Sequence, residues 1–194
     1  MATLVRRSAS YEDLLRHSRL PVAEIVDGSL YRSARPSVPC AMAAFALSAA
    51  IGAACAPRRA QAGGWWVLFE PELQLGDDVL VPDLAGWRRE RLSAPEGTVA
   101  VDVAPDWVCE ILAPGTEAFD REHKLPAYAR HEVSHAWLVD PARRSLQVLE
   151  REARRWVPVR AFEEDARVRA EPFAAVELDL LTLWADTAPS LAPA

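Results

Sequence analysis

Residues 106 to 112 read DWVCEIL, and no other stretch restricts the fold as tightly. A nearly continuous apolar run of this length suits a central strand buried on both faces, since a strand with one wet face would alternate apolar and polar residues. Such a strand needs a sheet covered on both sides. Helical and strand patterns mix along the rest of the chain, so the expected class is α/β or α+β, with one central mixed sheet flanked by helices. The 194 residues fit one domain, and a domain of that size buries roughly 70% of the surface its unfolded chain exposes. We expect that domain over 1–187, with 188–194 (APSLAPA) frayed.

The flanking segments supply the other elements. ASYEDLLRHSRL (9 to 20) starts with Ser and acidic residues ahead of an apolar pair, which predicts a helix start, and AEIVDGSLYRSAR predicts a hairpin turning on Asp27-Gly28. The alanine-rich run at 38 to 56 predicts a helix. Its glycine, serine and small residues suit close packing on a sheet better than a membrane span. WWVLFEPELQL and VLVPDLAGW read as a second antiparallel pair. TEAFDREHKLPAYARHE predicts a helix with Thr116 as N-cap and a start, kink or break near Pro126. HAWLVDP, SLQVLERE and RRWVPVRAFEE then predict strands, and FAAVELDLLTLWAD a strand leading into a short apolar helix.

Arg6 and Arg7 are followed by polar residues and not by an apolar run, and Cys40, Cys55 and Cys109 show no CxxC spacing. Both features fit a cytoplasmic protein with reduced core thiols and no structural zinc. The net charge of −6 speaks against binding nucleic acid through bulk electrostatics, but a local basic face remains compatible with it. RRERL (88 to 92) and REARRW (151 to 156) are the arginine clusters that could line a groove; each also reads as a solvated turn.

Lys and Arg total 22, and Lys124 is the only lysine. Where 21 positive positions are arginine, one ammonium beside carboxylates and an apolar run points to chemistry, because lysine is a compact charge able to hold a water or a phosphoryl oxygen. Asp83 in VPDLAGW and Glu110 in WVCEIL stand in otherwise apolar strands that should be sheet neighbours. A carboxylate there is costly unless a cation or hydrogen bonds compensate it. Two converging carboxylates suit a hard divalent ion such as Mg²⁺. With Lys124 on the following helix, the set suits phosphodiester hydrolysis. A structural arrangement fits the same spacing: Asp83 in a turn after Pro82, Glu110 at a strand end, and Lys124 paired with one of them.

The order AEIVDGSLY, VPDLAGW, PDWVCEILAPGTEAFDREHKLPAYAR and VSHAWLVDP resembles the Uma2 family, formerly a domain of unknown function, within the PD-(D/E)xK nuclease superfamily. The resemblance runs from about Tyr11 to Trp184, with its most specific part between Pro82 and Pro141. It implies a restriction-endonuclease-like fold and a Mg²⁺-dependent (or Mn²⁺-dependent) DNA endonuclease. Asp83 matches the acid of the PD half-motif and Glu110 the second acid, with the carbonyl of Ile111 completing the metal's shell. The superfamily's usual lysine position holds Leu112; in the Uma2 pattern the lysine comes from the next helix, which Lys124 matches, and it positions the attacking water. Glu24 matches an N-terminal acid with a secondary metal or water contact, and Tyr128 lies one helical turn beyond Lys124. Two positions depart from the pattern. Ala113 replaces a serine, and Cys40 stands where the family has a histidine. Those losses keep open an inactive DNA-binding or protein-interaction module on the same fold, and the acidic charge keeps open a nuclease acting on RNA or nucleotides. Cutting both strands of a duplex would favour a homodimer.

Other candidates carry less. His131 and His135 have helical metal-ligand spacing, but Val133 and Ser134 read as a passage from helix to strand. His123 reads as an exposed helical neighbour of Lys124, and Trp65, Trp66, Trp107, Trp137 and Trp156 sit in strand-like runs and read as core.

Overall fold

A computed structural model describes residues 2–17, 22–55, 64–92 and 100–184. The expected frayed tail lies outside the described residues. Strand β1 (Thr3–Arg7) precedes helix α1 (Tyr11–His17). The helix starts on a reciprocal cap, in which Ser10 N donates to Asp13 Oδ2 (3.0 Å) and Asp13 N to Ser10 Oγ (3.4 Å). Strands β2 (Val22–Val26) and β3 (Ser29–Ser33) form the predicted hairpin. Asp27 and Gly28 both adopt positive φ (50° and 68°), which matches the right-handed twist of the strands.

Helix α2 (Val38–Cys55) is followed by β4 (Trp65–Phe69), β5 (Glu72–Leu75), β6 (Asp78–Leu80) and β7 (Leu84–Arg88). Next come β8 (Ala100–Val101) and β9 (Trp107–Ile111). A helical segment follows, made of α3 (Glu117–Phe119), a π turn (Asp120–Lys124) and α4 (Leu125–Arg130). Strands β10 (His135–Asp140), β11 (Ser145–Glu152) and β12 (Arg155–Glu163) then run antiparallel in succession, and β13 (Arg167–Val168), β14 (Leu178–Asp179) and a 3₁₀ turn (Leu180–Leu183) close the described chain.

The architecture is mixed α+β, and among the described residues the strands divide between two six-stranded sheets and a two-stranded one. The sheet orders are β1-β3-β2-β6-β5-β8 and β12-β11-β10-β9-β7-β4. The division starts in the predicted pair between Trp65 and Arg88. Proline lacks a ladder donor, and Pro71 and Pro82 interrupt the two arms at the same level. The outer arms β4 and β7 pair in one sheet (Phe69↔Leu84) and the inner arms β5 and β6 in the other (Leu73↔Leu80). Glu70 turns the chain at the break with φ 43°, and its N–H donates to the Asp83 carbonyl (3.0 Å).

Strand β9 is central and buried throughout its length, as DWVCEIL requires. It pairs antiparallel with β7 and parallel with β10, the helical segment supplying the crossover. Trp107, Cys109 and Ile111 pack against the α2 side, where Cys40, Ala43, Ala44, Leu47, Ile51 and Cys55 form the helix's buried stripe. Val108 joins Phe119, Leu125 and Tyr128 on the opposite side. Glu110, two residues on from Val108, points to that second side. The three cysteines are buried and free, and Trp107, Trp137 and Phe173 meet edge to face. Among the described residues no helix is long and apolar enough to cross a membrane.

Candidate active site

Pro126 shapes the helix that carries the lysine. Its ring cannot donate and would collide with the carbonyl four residues back. The chain widens into the π turn just before it, a feature frequent at functional sites. Asp120 and Lys124 both turn inward there, 5% and 4% exposed. Thr116 occupies the N-cap position without a side-chain cap bond; the Ala113 carbonyl closes that turn, accepting from Thr116 N and Glu117 N (both 2.9 Å).

Lys124 Nζ donates to Glu110 Oε2 and to the Val81 carbonyl (2.9 Å each), and lies 3.3 Å from Glu24 Oε1 and 3.9 Å from Asp120 Oδ1. The Tyr128 hydroxyl donates to the other Glu110 oxygen (2.6 Å). Glu24, on β2, accepts from Val81 N (2.8 Å), so both backbone polar groups of Val81 are tied to the site, its N–H to Glu24 and its carbonyl to Lys124. Asp83 stands at the Pro82 break beside the end of β9, where its Oδ2 accepts from Ile111 N (2.6 Å). All five expected residues, Glu24, Asp83, Glu110, Ile111 and Lys124, therefore line one cavity of about 300 Å³.

The cavity also holds groups that the sequence did not single out. Asp120 lines it, as does Glu70 at the strained turn beside Asp83. Asp120 had a signal, since it precedes Lys124 by four residues on one helical face. Glu70 had none. Cys40 and Ala113, the departures from the family pattern, line the same wall. Ser37 Oγ donates to Cys40 Sγ (3.1 Å), and the thiol faces the Leu112 carbonyl (3.7 Å).

Charge in this cavity is out of balance. Burial, then repulsion from Glu70 and Glu24, pushes Asp83 up to about 6 against the pull of Lys124 and Ile111 N–H. Burial pushes Asp120 up to about 7, with Lys124 opposing and Glu24 and Asp83 adding to the rise. Burial also drives Glu110 upward, opposed by Lys124. Burial pulls Lys124 down, but Glu110, Glu24, Asp120 and Asp83 outweigh it and keep the ammonium charged. One ammonium among three buried carboxylates and the half-buried Asp83 leaves room for further positive charge. The donors are all oxygen, which fits a hard divalent cation. Glu110 keeps acceptor capacity, because each carboxylate oxygen has two lone-pair positions and each has taken one donor. Among the described residues no three His, Cys, Asp or Glu side chains form a ready-made ion site; a site here rests on Asp83, Glu110 and a backbone carbonyl.

The weaker candidates lie elsewhere. His131 Nε2 sits 2.8 Å from Asp78 Oδ2, while His135 opens β10 across the positive-φ residue Glu132, so they form no pair. His123 packs beside Tyr31 and Phe119. Arg88 and Arg89 lie over Trp65 and Trp66, Arg91 bonds Asp106, and Arg151 bonds the Val133 carbonyl. Neither arginine cluster lines the cavity.

The family model Uma2, described as "Putative restriction endonuclease", matches residues 9–183. The chain belongs to the Uma2 family. A crystal structure from Anabaena variabilis, described as a "putative nuclease belonging to DUF820", superposes with a TM-score of 0.72, covering 91% of this chain and 97% of that one at 22% identity. At that identity the likeness speaks for the fold. A comparison with curated proteins finds no match. Lys124, on the helical segment that follows β9, lines the same cavity as Asp83 and Glu110.

Proposed function

We propose that this Uma2 protein is a metal-dependent endonuclease that hydrolyses DNA phosphodiester bonds. The observation that carries the reading is the buried Lys124 ammonium, held on the Glu110 carboxylate and the Val81 carbonyl at a cavity shared with Asp83, Asp120 and Glu24. Asp83, Glu110 and the Ile111 carbonyl would hold Mg²⁺ or Mn²⁺, which when bound polarises the phosphate and lowers the pKa of a water. Lys124 orients the attacking water and offsets the charge that grows on the phosphate oxygens. Its aim is set by two acceptors, so little rotational freedom is lost in the reaction. Tyr128 holds Glu110 in place, and Glu24, fixed by Val81 N, keeps the ammonium centred.

Metal-dependent melting tests this reading against a non-catalytic module on the same fold. Ion at about 100 times its Kd stabilises by about 2.7 kcal/mol, or roughly 5–11 °C for a chain of this length. That rise should vanish in Asp83→Asn and Glu110→Gln. An unchanged Tm with Mg²⁺ and Mn²⁺ favours the binding module. Cleavage competition among duplex DNA, RNA and nucleotides then assigns the substrate, and inhibition by RNA or nucleotides equal to that by DNA would overturn the DNA assignment.

A further inference from the structure

Among the described residues two cationic side chains line the cavity, Lys124 and Arg35, against the five acids Glu24, Glu70, Asp83, Glu110 and Asp120. They are placed very differently. Lys124 is buried and bonded on several sides. Arg35 is exposed, on the loop between β3 and α2, and has no hydrogen-bond or ion-pair partner among the described residues. An arginine at an acid-rich mouth would ordinarily pair with one of those carboxylates, as Arg130 does with Asp78 and Arg143 with Asp140 elsewhere in the molecule. Pro36 restricts Arg35 to extended backbone, so the position of the side chain's base is defined.

We propose that Arg35 is a substrate-binding residue that takes a backbone phosphate of the nucleic-acid strand at the cavity mouth. This rests on the nuclease reading above and adds the residue that recognises the polyanion. A strand approaching this site meets Glu70 at the rim and the carboxylates behind it, so a cation outside the buried cluster is needed to draw the phosphate in. Guanidinium suits that role because its planar fork matches two phosphate oxygens at once. Lys124 cannot serve at the mouth, being held inside. None of the arginines of the two sequence clusters lines the cavity; Arg88 and Arg89 lie over tryptophan faces, Arg91 bonds Asp106 and Arg151 a backbone carbonyl.

The test is anisotropy of a labelled DNA duplex with the full chain, across a salt series with divalent metal chelated, for the parent, Arg35→Ala and Arg35→Lys. Removing one phosphate contact lowers the slope of log K against log salt by about 0.9. Affinity at low salt should fall roughly tenfold, as for one charge-assisted hydrogen bond. Arg35→Lys should keep the parent's slope. If the parent binds and Arg35→Ala has the same slope and affinity, Arg35 is a solvated surface arginine and this inference falls alone. If the parent binds no duplex under any salt condition, this inference falls, while the nuclease reading stands or falls separately on plasmid cleavage with metal present.

Discussion

Replacing Asp120 with asparagine should stabilise the metal-free protein at pH 8. Asp120 is buried in the π turn, and its carboxyl titrates at about 7 instead of 3.8. Below pH 3.8 the group is protonated in both folded and unfolded chains and contributes nothing. Between there and pH 7 the unfolded chain has lost the proton while the folded one retains it, so stability falls as pH rises. Above pH 7 the deficit is constant. A rise of about three pKa units corresponds to about 4 kcal/mol, a ceiling because neighbouring carboxyls can take up protons instead. For this length that is up to about 8–16 °C in Tm. Urea unfolding of parent and Asp120→Asn at pH 4, 6 and 8, with metal chelated, should give curves that coincide at pH 4 and separate in the variant's favour toward pH 8. A variant less stable than the parent at pH 8, or a difference independent of pH, would refute the charge-imbalance reasoning.

Three further substitutions probe the same framework. Lys124→Met removes the counter-charge of the buried Glu110, and breaking such a pair costs about 3–5 kcal/mol; denaturation at pH 8 should show that loss, with part of it recovered near pH 5 as carboxyls protonate. Tyr128→Phe deletes a donor to the same carboxylate and should cost about 1.5–3 kcal/mol. Because Glu110 then ionises less readily, the acid limb of the cleavage pH profile should move to higher pH. Gly86→Ala would place a Cβ 3.1 Å from Trp107 Cε3 and 3.3 Å from Trp65 Cε3, so urea unfolding should show about 1–3 kcal/mol of overpacking strain.

Much of this fold is legible in the sequence where short-range physics decides it. DWVCEIL suits a doubly covered strand, Asp27-Gly28 could turn a hairpin with both residues at positive φ, and the uncharged run at 38 to 55 forms the sheet-covering helix. The cavity was legible because Lys124 is chemically singular and because each acid stands in an apolar run that makes its burial costly. The second sheet was not. It follows from Pro71 and Pro82 falling level with one another once the arms pair, a register that neither segment reveals by itself. Strand β1 is exposed along its whole length and held by pairing with β3, so it carries no burial pattern to read. Likewise the Asp78 cluster, which receives Asp27 N, Arg130 and His131, joins residues more than fifty positions apart.

Cleavage of supercoiled plasmid tests the central claim most directly. Purified parent, Lys124→Ala and Glu110→Gln would be incubated with Mg²⁺ or Mn²⁺ and with chelator, after circular dichroism has shown all three folded. The account predicts nicked or linear product from the parent alone and only with metal present. Three folded proteins that all leave the plasmid intact, or a Lys124→Ala variant that cuts as fast as the parent, would contradict it.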